Sequence, residues 1–155
     1  MKIYIMRHGE AGLIAKSDAE RSLTERGKAD SKQVVSQLVS GSPLQIDKVL
    51  VSPYLRAQQT WDEISPFFAA KDVEVCDDIT PYGQSENVAE YIRALIETQA
   101  LESVYVVSHL PLVGYMVSEF VKDVSPPMFH TSGLVCIEYD ALHDIGTLDW
   151  RIAPS

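Results

Sequence analysis

Short runs of apolar, often β-branched residues alternate along the chain with longer stretches whose apolar positions recur every three or four residues. The first pattern predicts buried strands and the second amphipathic helices. Lys2 to Met6, Lys48 to Ser52 and Val104 to Ser108 read as buried strands, with Val49-Leu50-Val51 at the centre of the second, and Val73 to Val75 as a shorter one. Helices are expected over Thr24 to Ser40, Pro53 to about Phe68, Glu86 to about Thr98 and Leu112 to Val121. Thr24 carries a capping hydroxyl, Ala29, Val35 and Leu38 supply a buried stripe, and Gly41 marks the end of the first helix. Pro53 suits a first helical turn, where its missing N–H costs nothing, and Pro66 ends or kinks that helix. In the third helix Val88, Tyr91, Ile92, Leu95 and Ile96 share one face, after a loop over Asp77 to Gly83. Beyond Pro126-Pro127 the pattern changes to Leu134–Tyr139 and Thr147–Ile152, two strands joined by a turn near Asp144 and Gly146, which reads as a hairpin. Alternating strands and helices require crossover connections. The predicted fold class is therefore α/β: a three-layer α/β/α sandwich around a mostly parallel sheet, with an antiparallel C-terminal piece.

Length and composition narrow this picture. The 155 residues carry no repeat, low-complexity tract or linker, so a single domain over residues 1–155 is expected. At 46% hydrophobic and 23% charged residues, the composition is that of an ordinary globular chain. Thirteen Lys and Arg against 22 Asp and Glu give a net charge of −9. That field repels polyanions, so neither nucleic acid nor an anionic membrane is an expected partner, and any phosphate site needs a local cluster of cations. Cys76 and Cys136 cannot build a disulfide framework, show no zinc-ligand spacing with histidine, and have no neighbouring cation to activate a thiolate. They read as buried bystanders. The apolar run before Arg7 is too short for a signal peptide or a membrane span, so a cytoplasmic location is expected.

In open α/β sheets ligands collect at the carboxyl ends of the strands. The first strand is followed by Arg7-His8-Gly9-Glu10, the second by Ser52-Pro53-Tyr54-Leu55-Arg56, and the third by Ser108-His109-Leu110-Pro111. Three strand ends thus deliver two arginines and two histidines to one edge, and this chemistry points to a phosphoryl group. Planar guanidiniums grip phosphate oxygens with paired bonds. A neutral imidazole is a nucleophile at pH 7, and a second one donates to a nonbridging oxygen or handles a proton. Gly9 lets the backbone pass close to the ligand. His143 sits in a turn and is expected to face solvent, while His130, before Thr131-Ser132, has weaker support as an edge of the site.

These segments resemble a known family. Ile5-Met6-Arg7-His8-Gly9-Glu10, Leu23-Thr24-Glu25-Arg26-Gly27, Val51 to Thr60 and Val107 to Gly114 are similar, in order, to the motifs of the histidine phosphatase superfamily, whose fold is called phosphoglycerate-mutase-like. Pro126-Pro127-Met128-Phe129 followed by Thr131-Ser132 narrows the resemblance to SixA-type phosphohistidine phosphatases. The resemblance implies that His8 is the nucleophile, that Arg7 and Arg56 clamp the phosphate, and that His109 hydrogen-bonds the transferring group. It also places Gly9 and Leu110 against the substrate. It implies no metal and no cofactor. The implied partner is a phosphorylated protein, a histidine phosphotransfer domain of a sensor kinase in a signalling relay.

Many superfamily members carry an acid that protonates the leaving group. Here the corresponding segment is the short loop Asp77 to Gly83, where Asp77 and Asp78 read as solvated, and Glu10 reads as structural. An imidazole leaving group tolerates that lack, because its neutral form takes up a proton only near pH 6.5, whereas an alkoxide needs a donor. The competing readings are a phosphatase for a small metabolite or another phosphocarrier protein, and a module that binds phosphohistidine without hydrolysing it.

Overall fold

In the computed structural model, which describes residues 1–155, the chain runs β1 (Lys2–Arg7), α1 (Glu25–Ser36), β2 (Leu44–Ile46), β3 (Lys48–Val51), α2 (Leu55–Ile64), β4 (Phe68–Ala70), β5 (Val73–Val75), α3 (Ser85–Gln99), β6 (Ser103–Ser108), α4 (Leu112–Phe120), β7 (Leu134–Asp140) and β8 (Ile145–Ile152). Single 3₁₀ turns lie at Asp18–Glu20 and Ser65–Phe67. Six strands form one sheet in the order β5-β3-β6-β1-β7-β8. The first four are mutually parallel, and β7 and β8 join antiparallel as the expected hairpin.

The central strands are unbroken apolar runs because helices cover both faces. Ile3 and Ile5 of β1 point into a core shared with α3 and α4, through Ile92, Leu95, Leu112 and Val113. Tyr4 and Met6 point the other way, into a second core with Val34, Val35, Ala57 and Ile64 of α1 and α2. Two cores on opposite faces of one sheet make the three layers predicted. Both cysteines are buried in them, one on each side.

The structure departs from the sequence pattern at three places. Thr24 does cap α1, accepting the Gly27 N–H, but the helix ends at Ser36 and the chain passes through Gly41 later, at φ +80°. Ala29 faces solvent, and the buried positions are Gly27, Ser31, Val34 and Val35. Two of those four are small because α1 lies against backbone. A Cβ on Gly27 would stand 2.2 Å from the Glu10 carbonyl oxygen. Helix α2 starts at Leu55, not Pro53, and Pro66 converts its end into a 3₁₀ turn. Finally, Phe68–Ala70 is a strand paired with Leu44–Ile46 in a separate two-stranded sheet. Phe68 there packs its ring against Trp61 and Tyr105, at centroid distances of 5.8 and 4.9 Å. Three-residue strands are too short to show a period of two.

Candidate active site

Strand register brings the charged segments together. Arg7 pairs with Ser108 and Val51 with Val107 across the three central strands. The ladder then runs one residue further: the His8 N–H donates to the Ser108 carbonyl at 2.9 Å and the Ser52 N–H to the Val107 carbonyl at 3.0 Å. These bonds fix the backbone on which His8, Ser52 and His109 stand. The Ser132 N–H, from the loop before β7, holds the His8 carbonyl at 3.0 Å. The rings of His8 and His109 lie 5.0 Å apart, centre to centre. Arg56, in the first turn of α2, places Nε 3.2 Å from His8 Nε2. Arg7 donates through Nη1 to the Phe129 carbonyl at 2.9 Å. His8, His109 and Arg56 are buried, and Arg7 is half-buried.

The hydrogen-bond network assigns the tautomer of His8. Its Nδ1 lies 2.7 Å from the Gly9 carbonyl, which can only accept, so Nδ1 carries the hydrogen. The Arg56 Nε–H can only donate, so His8 Nε2 holds a lone pair toward it. Burial is the main cause that pushes the His8 pKa down to about 4; the Gly9 carbonyl opposes it, and the guanidiniums of Arg56 and Arg7 push further down. His109 is driven down to about 2, by burial first and then by His8 and Arg56. Both rings are therefore neutral at pH 7. Arg7 is also pushed down, by burial and by Arg56, the cost of holding two like charges close together.

Two buried nitrogens in this site have no partner, Arg7 Nε and His109 Nδ1. Unpaired buried polar groups are costly and rare in folded proteins. Both stand among guanidinium and imidazole groups, where an anion with several acceptor oxygens would satisfy them. A phosphoryl group has that chemistry.

Some neighbours of the clamp carry no signal in the sequence. The Asp18 carbonyl accepts from Arg56 Nη1 at 2.6 Å and its carboxylate from Nη2 at 3.2 Å. Hydrogen bonds from Arg21 first, and from Arg56, hold the Asp18 carboxyl below its ordinary range. Asp18 lies in an aperiodic loop closed by the Ala11–Leu23 bridge, and nothing in its sequence announces the contact. Thr60 is different: it donates to the Arg56 carbonyl at 2.7 Å and accepts the Gly9 N–H at 3.0 Å, and the four-residue spacing from Arg56 was a readable signal. Ser52 stands 2.6 Å from His109 Nε2, a contact between two strand ends that no spacing in the sequence reveals.

The other residues that the sequence singles out lie around the clamp or away from it. Gly9 is demanded by packing, since a Cβ there would stand 2.7 Å from the Gly27 carbonyl oxygen and 2.9 Å from Ser31 Oγ. Its N–H is already taken by Thr60. Leu110 is half-buried against the α3–α4 core and lines a surface groove with Pro111, Tyr115 and Met128. Glu10 pairs with Arg26 at 3.8 Å, Asp77 and Asp78 are exposed, and His143 faces solvent bonded to Asp140 at 2.8 Å. His130 is exposed and contributes only its backbone, to a turn with Gly133. No three His, Cys, Asp or Glu side chains gather as metal ligands, and no helix is long and apolar enough to cross a membrane.

Comparison with known proteins agrees with this geometry. The model of the histidine phosphatase superfamily (branch 1) matches residues 3–80, a stretch that contains Arg7, His8 and Arg56. The phosphohistidine phosphatase SixA of Escherichia coli K12 is 40% identical over 155 residues, covering 99% of this chain and 94% of its own. A SixA homolog of Haemophilus influenzae is 38% identical over 150 residues, 90% of this chain and 89% of its own. Among solved structures, the protein histidine phosphatase SixA complexed with tungstate matches with a TM-score of 0.87 at 40% identity, over 99% of this chain and 97% of that one. By fold, by motif order and by identity along nearly its whole length, this chain belongs to the histidine phosphatase superfamily.

Proposed function

We propose that this protein is a phosphohistidine phosphatase that removes phosphate from a histidine on a partner protein. The observation that carries the reading is His8 itself: a buried, neutral imidazole with its Nε2 lone pair turned toward Arg56. In the proposed first step His8 Nε2 attacks phosphorus and the P–N bond to the substrate ring breaks. The bonding pair stays on the departing nitrogen. A substrate ring already protonated on its other nitrogen leaves neutral, so it needs no acid. The His8 ring becomes cationic, and its Nδ1–H faces the Gly9 carbonyl that favours that charge. Arg7, Arg56 and His109 stabilise charge on the phosphoryl oxygens. Water then attacks phosphorus, the P–Nε2 bond breaks, its electron pair returns to His8, and phosphate departs with the proton lost to solvent.

The finer reading is that the partner is a folded histidine phosphotransfer domain of a signalling relay. Its support, besides the SixA relatives, is the surface around the site. Leu13, Ile14, Leu55, Tyr82, Tyr115 and Met128 are exposed apolar side chains on segments at the carboxyl end of the parallel strands. A histidine presented from a protein surface would bring other surface atoms against such a rim. The test compares turnover of a phosphorylated phosphotransfer domain with that of an alkyl phosphate ester. Lack of a general acid costs the ester about 10²–10⁴-fold. Comparable rates on both would remove the leaving-group argument.

A further inference from the structure

We propose that Ser52 is a positioning residue that sets the tautomer of His109, so that Nδ1 carries the hydrogen offered to the phosphoryl group. The inference rests on the phosphatase reading for its catalytic consequence, but its structural half stands on contacts alone. Ser52 is fully buried at the first position beyond β3, anchored by its own N–H. Its hydroxyl oxygen accepts the Tyr54 N–H at 3.2 Å and lies 2.6 Å from His109 Nε2. The hydroxyl has one hydrogen to give, and His109 Nε2 is the acceptor in reach. With Ser52 donating to Nε2, the hydrogen of the neutral ring sits on Nδ1, the nitrogen that has no partner in the protein.

The reverse arrangement is worse on two counts. An Nε2–H donating to Ser52 would strand the serine hydrogen in a buried site, at the cost of an unsatisfied donor. It would also leave a lone pair on Nδ1 beside the phosphoryl oxygens, where like charge repels. The polarity therefore runs one way: Tyr54 N–H to Ser52, Ser52 O–H to His109 Nε2, and His109 Nδ1–H to the anion. Tyr54 is itself braced, with its ring edge-on to His109 at 5.0 Å and the Arg56 guanidinium over it at 5.1 Å. His109 then acts as a neutral donor, with no proton to give up in the cycle.

Nitrogen-15 NMR of His109 at pH 7 reads the tautomer directly. In the unaltered protein the expected result is a protonated-type shift on Nδ1 and an unprotonated one on Nε2. The opposite pattern overturns the proposal whether or not any variant folds. In Ser52→Ala the pattern should move toward the Nε2–H form. With phosphoramidate as substrate, kcat should fall about 10–100-fold, less than the 10²–10³ lost when an oxyanion donor is removed outright, with KM little changed. Ser52→Thr, which keeps the hydroxyl, should restore the tautomer and most of the rate. A Ser52→Ala protein that keeps both the Nδ1–H pattern and the full rate overturns the role of Ser52. Failure of the unaltered protein to hydrolyse any P–N substrate would instead contradict the phosphatase reading and leave the tautomer result standing.

Discussion

His8 must be neutral and yet stand beside two permanent cations, and burial resolves that demand by making the protonated ring the costly form. The expected consequence is that the His8 ring titrates with a midpoint near 4, well below the ordinary 6.5. Following its ring C–H shift against pH checks this, and a midpoint near 6.5 would show that water reaches the ring. The same burial makes Arg56 more than a binding group. It touches the nucleophile and is proposed to grip phosphate in the ground state and more strongly in the transition state, so Arg56→Ala should raise KM and lower kcat together. Steady-state kinetics on phosphoramidate decide it, and a change confined to either constant would speak against a shared role. At this scale the chain was legible where chemistry is unusual, as with arginine and histidine at strand ends. It was silent on Asp18, because any polar loop residue could have met Arg56, and only the folded path of the loop selects one.

Among the elements, the central strands could be read because burial on two faces leaves unbroken apolar runs, and the hairpin because a turn separates two β-rich segments. The buried face of α1 was legible only toward its C-terminal end, where Val35 enters the core. Its first turns meet backbone, and there Gly27 and Ser31 take the place of an apolar stripe. Gly9 and Gly27 form that contact, which sets the distance between α1 and the loop carrying His8. A methyl group on Gly27 would meet the Glu10 backbone at 2.2 Å, and backbone on both sides cannot yield cheaply. Gly27→Ala should therefore lose at least the roughly 1–3 kcal/mol typical of overpacking, and lower activity with it. Urea unfolding measures the loss, and an unchanged midpoint would mean that the helix can move aside. Gly41→Ala serves as a contrast: it has no neighbour within 4 Å, so any cost there comes only from its positive φ.

For the molecule as a whole, the site makes stability depend on pH. Unfolded histidines take up protons below about 6.5, whereas His8 does so in the fold only near 4 and His109 near 2. Within that window the unfolded chain holds more protons, so stability falls as pH falls, by about 3 kcal/mol for His8 alone between 6.5 and 4. Thermal melts at pH 7 and pH 5 should show a smaller drop in the double variant His8→Gln/His109→Gln than in the parent, and equal drops would contradict the buried neutral pair. The apolar rim makes a separate demand. Replacing Tyr115 and Met128 together by serine should lower kcat/KM for the phosphorylated protein and leave phosphoramidate turnover unchanged, since neither side chain belongs to the clamp. The most direct test of the account is to mix the enzyme with a phosphohistidine protein, quench within one turnover, and locate the trapped phosphate by mass spectrometry. The account predicts phosphate on His8, and neither label nor turnover in His8→Ala; phosphate on another residue, or turnover that survives His8→Ala, would contradict it.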